Sequence, residues 1–137
     1  MAYWLFKTEP ETFSWAQQKK KGAKGEPWSG VRNWQAARYM KRMRVGDRGF
    51  FYHTGDEKQI VGIVEVIREY EPDPTDESGQ FGMVDVRAIE PLKEPVTLDA
   101  IKQDSRLADM QLVRYSRLSV QKVSEEEWKL IRAMGGL

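Results

Sequence analysis

The sequence predicts a single α+β domain over residues 1–137: a closed or nearly closed β-barrel of five to six strands with short flanking helices. Three observations carry this. The chain has 137 residues, 40% of them hydrophobic and five of them tryptophan, enough for one core without disulfides or metals. The strand segments are mostly joined by hairpin-length turns rather than helical crossovers, which disfavours a doubly wound sheet. No repeat, low-complexity tract or composition shift marks a second domain.

The elements follow in order. Tyr3–Lys7 mixes aromatic and aliphatic residues on both faces and reads as a central strand. Pro10 and Thr12 precede a brief helix around Phe13, Trp15 and Ala16 that ends at Lys19-Lys20-Lys21-Gly22, and residues 22–25 form a flexible basic loop. Pro27 to Val31 reads as an ordered turn. Asn33 is placed to cap a second helix with Ala37, Met40 and Met43 at three-residue spacing and Arg38, Lys41, Arg42 and Arg44 on its surface.

Arg48–His53 is the next strand, and Thr54–Lys58 turns the chain back onto the apolar run Ile60–Ile67. Glu69–Gly79, acidic and with two prolines, reads as a surface loop. Phe81–Ile89 alternates as a further strand, and Pro91 and Pro95 punctuate the connection after it. Leu98–Met110 reads as a short helical stretch and Leu118–Val123 as the last strand. Ser124-Glu125-Glu126-Glu127 is a capping box opening a final helix that Gly135 stops.

Composition narrows function. No cysteine and one histidine argue against a protein-built zinc site, and no cofactor is implied. No apolar run reaches membrane-spanning length, and the first residues lack the pattern of a secretion signal. No membrane partner is expected, and a cytoplasmic location, or a nuclear one in a eukaryote, is the default. The net charge is +1, but residues 1–58 carry twelve Lys/Arg against six Asp/Glu, and residues 59–137 carry ten against fifteen. That asymmetry can focus a field. It can equally be two solvated faces.

Four stretches together resemble the EVE domain family, relatives of the PUA fold that also resemble the YTH readers of methylated adenine. They are Tyr3-Trp4-Leu5-Phe6-Lys7-Thr8-Glu9-Pro10, Trp28-Ser29-Gly30-Val31-Arg32-Asn33, Gly46-Asp47 with Phe51-Tyr52-His53, and Asp109-Met110 leading to Arg114-Tyr115-Ser116-Arg117-Leu118-Ser119-Val120. The similarity implies a PUA-like barrel with a concave pocket for a flipped or single-stranded base. It also implies DNA or RNA carrying a modified base as the ligand, with a nuclease or modification system as a possible partner. It implies no catalysis. The chain departs from the pattern at Phe81, where relatives often carry tryptophan.

The base-binding candidates are Trp28, Ser29, Gly30, Asn33, Lys7, Trp4, His53, Thr54, Phe81 and Arg117. An unpaired base needs a flat aromatic face, and such stacking contributes about 1–3 kcal/mol. Trp28, between a glycine-containing turn and a helix start, reads equally as that wall or as a staple under the helix; the resemblance tips it to wall. As a wall, it should be removable without unfolding the chain. Trp4 is divided between pocket floor and core, and Phe81 is placed as an opposite wall. Trp15, Trp34 and Trp128 lie on helices and read as packing residues. Base edges are read by donors and acceptors, which brings in Lys7, Ser29, Asn33, His53 and Thr54, although an Asn here commonly caps and such a His is commonly structural. Arg32, Arg38, Lys41, Arg42 and Lys20 are phosphate candidates, and Arg117 is a rim contact.

Two rival readings differ in class. A small PUA-like hydrolase would use a lysine, a threonine and a carboxylate. Lys7, Thr8 and Glu9 or Glu65 supply these types, but neighbours on a strand point to opposite faces, so Lys7 and Thr8 cannot share a pocket without a bulge. A protein-interaction module would use the acidic loop and the basic helix.

Overall fold

The computed structural model describes all 137 residues. Six strands, β1 (Tyr3–Thr8), β2 (Glu26–Pro27), β3 (Arg48–His53), β4 (Gln59–Pro72), β5 (Gly82–Thr97) and β6 (Val120–Val123), form one sheet in the order β2-β5-β4-β3-β1-β6. Five helices flank it: α1 (Trp15–Lys20), α2 (Trp34–Arg42), α3 (Leu98–Gln103), α4 (Gln111–Arg114) and α5 (Glu125–Met134). The pairings are antiparallel except β1 with β3, which run parallel. A parallel neighbour requires a long crossover, here the segment carrying α1, β2 and α2.

The fold is therefore mixed α+β, but hydrogen bonds do not close the sheet, whose edges are β2 and β6. The sheet nevertheless curls. Trp28 continues β2 by donating its N–H to the Val84 carbonyl of β5 at 2.7 Å, and β5 lies three strand spacings from β1. On a flat sheet that separation is about 14 Å, yet the rings of Trp28 and Phe6 of β1 are 5.3 Å apart.

Strand alternation divides the apolar residues between two cores. Trp4, Phe6, Phe51, Val64, Val66, Val84, Val86 and Val120 join Trp15, Trp28 and the inner face of α2 on one side. Leu5, Phe50, Tyr52, Ile60, Ile63, Leu92 and Val123 join residues of α3, α4 and α5 on the other. This is the period of two expected of a strand whose faces are both covered. Gly62 marks a register shift in β4, where a Cβ would meet the Trp15 ring at 2.5 Å.

Local chemistry explains the helix ends. Ser14 and Ser124 each form a capping box, with Gln17 and Glu127 respectively. The Asn33 side chain accepts from the Ala36 N–H at 2.9 Å. Asp47, buried, accepts from Trp4 Nε1 at 3.0 Å and from the Arg44 N–H at 3.0 Å, tying β1 to the segment after α2.

Several expectations need correcting. β4 continues through Pro72, so the acidic segment begins as strand; its Asp73 side chain is fully buried. Pro91 and Pro95 lie inside β5 rather than after it. Gly62 pairs with Pro91 but Ile60 with Val96, so residues 92–95 bulge opposite Val61, and at Pro95 the missing N–H costs no ladder bond. Residues 22–24 form a 3-10 turn rather than a flexible loop, and β2 and α4 carry too few residues to show periodicity.

Candidate functional site

The open end of the curled sheet leaves a cavity of about 410 Å³ lined by Lys7, Thr8, Thr12, Phe13, Glu26, Pro27, Trp28, Ser29, Gly30, Val31, Arg32 and Ser119. The size falls within the range of about 300–1,000 Å³ typical of small-ligand sites. Its lining mixes aromatic faces with an ammonium group, hydroxyls, a carboxylate and backbone N–H groups. That chemistry can stack a flat ring and hydrogen-bond its edge.

Trp28 is a wall and a core residue at once. It is 8% exposed, and its ring meets Phe6, Phe13 and Phe51 edge-on at 5.3, 6.1 and 5.7 Å. Removing it therefore costs stability as well as a cavity wall. Phe13, which sequence reasoning placed only in a helix, joins Trp28 as the second aromatic of the cavity.

The loop after Trp28 is held by a buried carboxylate. Asp73 Oδ2 accepts from the Gly30 N–H at 2.7 Å and from Arg32 at 3.1 Å, while Oδ1 accepts from the Thr75 N–H at 2.8 Å and hydroxyl at 2.6 Å. Gly30 has φ +84°, the left-handed region that glycine enters without steric cost. Burial works against the Asp73 charge, but the donors from Thr75, Gly30 and Arg32 outweigh it and bring its pKa down to about 2. Asp73 was read as part of a solvated loop. An acidic residue between two prolines gave no hint of its partners 43 and 41 positions earlier.

Lys7, at the end of β1, donates to the Ser116 carbonyl at 2.8 Å and lies 5.9 Å from the Tyr52 ring centre. Burial lowers its pKa from the ordinary lysine value. Thr8 also lines the cavity, although both residues lie in β1, paired with Tyr52 and His53. The Thr8 hydroxyl donates to the Phe13 carbonyl at 2.9 Å, and a carbonyl cannot take its proton.

The remaining candidates lie elsewhere. Trp4 is buried in the core with its N–H on Asp47. His53 accepts the Trp15 N–H at Nε2, 3.1 Å, and faces Glu57 at Nδ1, 2.8 Å, so its neutral ring carries the proton on Nδ1. Thr54 makes the hairpin corner, its N–H and hydroxyl donating to the Thr8 carbonyl. Asn33 is spent as the α2 cap. Arg117 is exposed and is not among the lining residues. Phe81 is also outside the lining, stacked instead on Trp34 at 4.4 Å. Trp34, expected to pack, is exposed.

Of the phosphate candidates, Arg32 lines the cavity but is paired with Asp73. Arg38, Lys41 and Arg42 are exposed along α2, and Lys20 is exposed at the end of α1. No helix is long and apolar enough to cross a membrane.

Comparison with known proteins fits this geometry. The EVE domain family profile matches residues 2–134. The NMR structure of Rpa0253 from Rhodopseudomonas palustris is 60% identical, covers 99% of this chain and 94% of its own, and superposes with a TM-score of 0.94. The human THYN1 protein, crystallised in complex with 5-methylcytosine containing DNA, is 27% identical, covers 100% of this chain and 99% of its own, and has a TM-score of 0.94. The YTH domain of Zygosaccharomyces rouxii MRB1, in complex with N6-methyladenosine RNA, is 19% identical over 99% of this chain and 85% of its own, with a TM-score of 0.61. At that identity it shares the fold alone.

Proposed function

This chain belongs to the EVE domain family, and from that premise we propose that it is a nucleic-acid reader that accommodates a modified base in the Trp28 cavity and catalyses no reaction on it. The observation that carries the reading is the pairing of a half-enclosed aromatic wall with edge-reading groups. Trp28 and Phe13 offer ring surface, while Lys7, Ser29 and Glu26 offer donors and acceptors. The fold shared with a relative bound to 5-methylcytosine containing DNA makes methylated cytosine the first base to test. A reader changes nothing by itself, so a nuclease or modification system is the expected user of the signal.

The experiment is direct binding to single-stranded DNA and RNA oligonucleotides that differ by one modified base. The expected result is tighter binding of one modified strand than of its unmodified twin, with the nucleoside recovered unchanged. Equal affinity across the panel would refute the reading. The hydrolase reading has one observation in its favour, the meeting of Lys7, Thr8 and Glu26 in one cavity. It predicts conversion of the bound nucleoside, detectable by mass.

A further inference from the structure

We infer that the Trp34–Phe81 pair, exposed at Trp34 and partly buried at Phe81, is a stacking platform for the nucleotide next to the base held in the cavity, and that the outer stripe of α2 carries the strand onward from it. The inference rests on the reader proposal above for what occupies the cavity. Trp34, the first residue of α2, is 52% exposed. Leaving that much indole in water sacrifices hydrophobic stabilisation. Its ring is not loose, because it lies on Phe81 with centroids 4.4 Å apart and planes 34° apart. No base fits between rings at that distance, so the pair acts as one surface with its outer face free.

Two further observations connect this surface to the cavity and to a backbone. Arg32 lines the cavity, and its guanidinium lies 5.8 Å from the Phe81 ring centre. Two residues span at most about 7 Å, so the platform begins where the cavity wall ends. On α2, Trp34, Arg38, Lys41 and Arg42 are all exposed and fall at i, i+4, i+7 and i+8, which is one helix face. An aromatic step followed by cations is the arrangement that holds a single strand irrespective of sequence. Asp76 accepts the Phe81 N–H, so the cations available to a phosphate backbone near the pair are those of α2.

The test uses single-stranded DNA with one 5-methylcytosine, its unmodified twin, and methylated strands with an abasic site on either side of the methylated base. For the wild-type protein, an abasic site on one side should weaken binding by about five- to 150-fold. Trp34→Ala should weaken binding of the intact strand by the same factor, keep the ratio of methylated to unmodified affinity, and show no further loss on the abasic strand. The platform is overturned if neither abasic site matters to the wild type, if Trp34→Ala binds normally, or if the two losses multiply. The abasic arm needs no variant, so a folding defect cannot decide the result. Coupling without methyl preference would refute the reader and leave the platform standing. Methyl preference without coupling would refute the platform alone.

Discussion

Truncating Trp28 to alanine should damage fold and binding together, by amounts that can be predicted separately. The indole fills the space between Phe6, Phe13 and Phe51, and removing a buried tryptophan costs about 3–5 kcal/mol. Unfolding entropy of about 2.1 cal/mol/K per residue gives about 0.29 kcal/mol/K for this chain, so the midpoint should fall by about 10–17 °C. The variant should then still be folded at low temperature. There, loss of one stacking face should weaken the preferred oligonucleotide by about five- to 150-fold. Trp28→Phe, which keeps a ring, should lose less on both scales. Calorimetry and a binding titration well below the lowered midpoint read the two quantities independently. A midpoint within a few degrees of wild type would refute the packing argument. Undiminished binding by folded Trp28→Ala would remove Trp28 from the site.

Asp73→Asn should lower stability by about 1–3 kcal/mol, because charge-assisted bonds to Gly30 and Arg32 become neutral ones, and should speed hydrogen exchange at the Gly30 amide. The Asp73 pKa is depressed from 3.8 to about 2, so its stabilisation is complete above about pH 4 and is lost as pH falls through about 2. The Asn variant should therefore show a flatter acid limb in melting temperature against pH, and an unchanged limb would count against this assignment. Reversing Arg38 and Lys41 to glutamate should weaken modified and unmodified strands alike and flatten the salt dependence; a change confined to base preference would contradict that. Trp128 stacks between Tyr3 and Phe50 at 4.4 and 4.2 Å, so Trp128→Ala should melt about 10–17 °C lower with its base preference intact in a competition assay.

Much of the fold was legible because its signals are local. The apolar segments of β1 and β3, the Asn33 cap and the Ser124 capping box all act within a few residues, and they appear where the sequence put them. What the sequence hid depends on distant partners. The curl of the sheet brings Trp28 onto Phe6, and the burial of Asp73 depends on donors far back in the chain. The prolines of β5 were misread because a proline normally ends a strand, whereas here Pro95 sits in the bulge opposite Val61 and Pro91 at its edge. The site divides the same way. Trp28, Ser29, Gly30, Lys7 and Arg32 come together at the cavity, while Trp4 and His53 satisfy their polar atoms inside the protein. Trp34 was read as packing because one aromatic at a helix start has the same sequence signature whether it faces the core or the solvent.

The place of β1 in the sheet bears on how the chain is made. β1 lies between β3 and β6, with Tyr3 opposite Arg48 on one side and Val123 on the other. In the order of the chain, β1 therefore waits for β6 before its second edge is paired. The cavity waits with it, since the Lys7 N–H donates to the Ser119 carbonyl and its ammonium to that of Ser116. Contacts of such high sequence separation slow folding and leave a strand edge open in the meantime. Without residues 116–123, β1 would keep its pairing to β3 but lose both Lys7 bonds and its second neighbour.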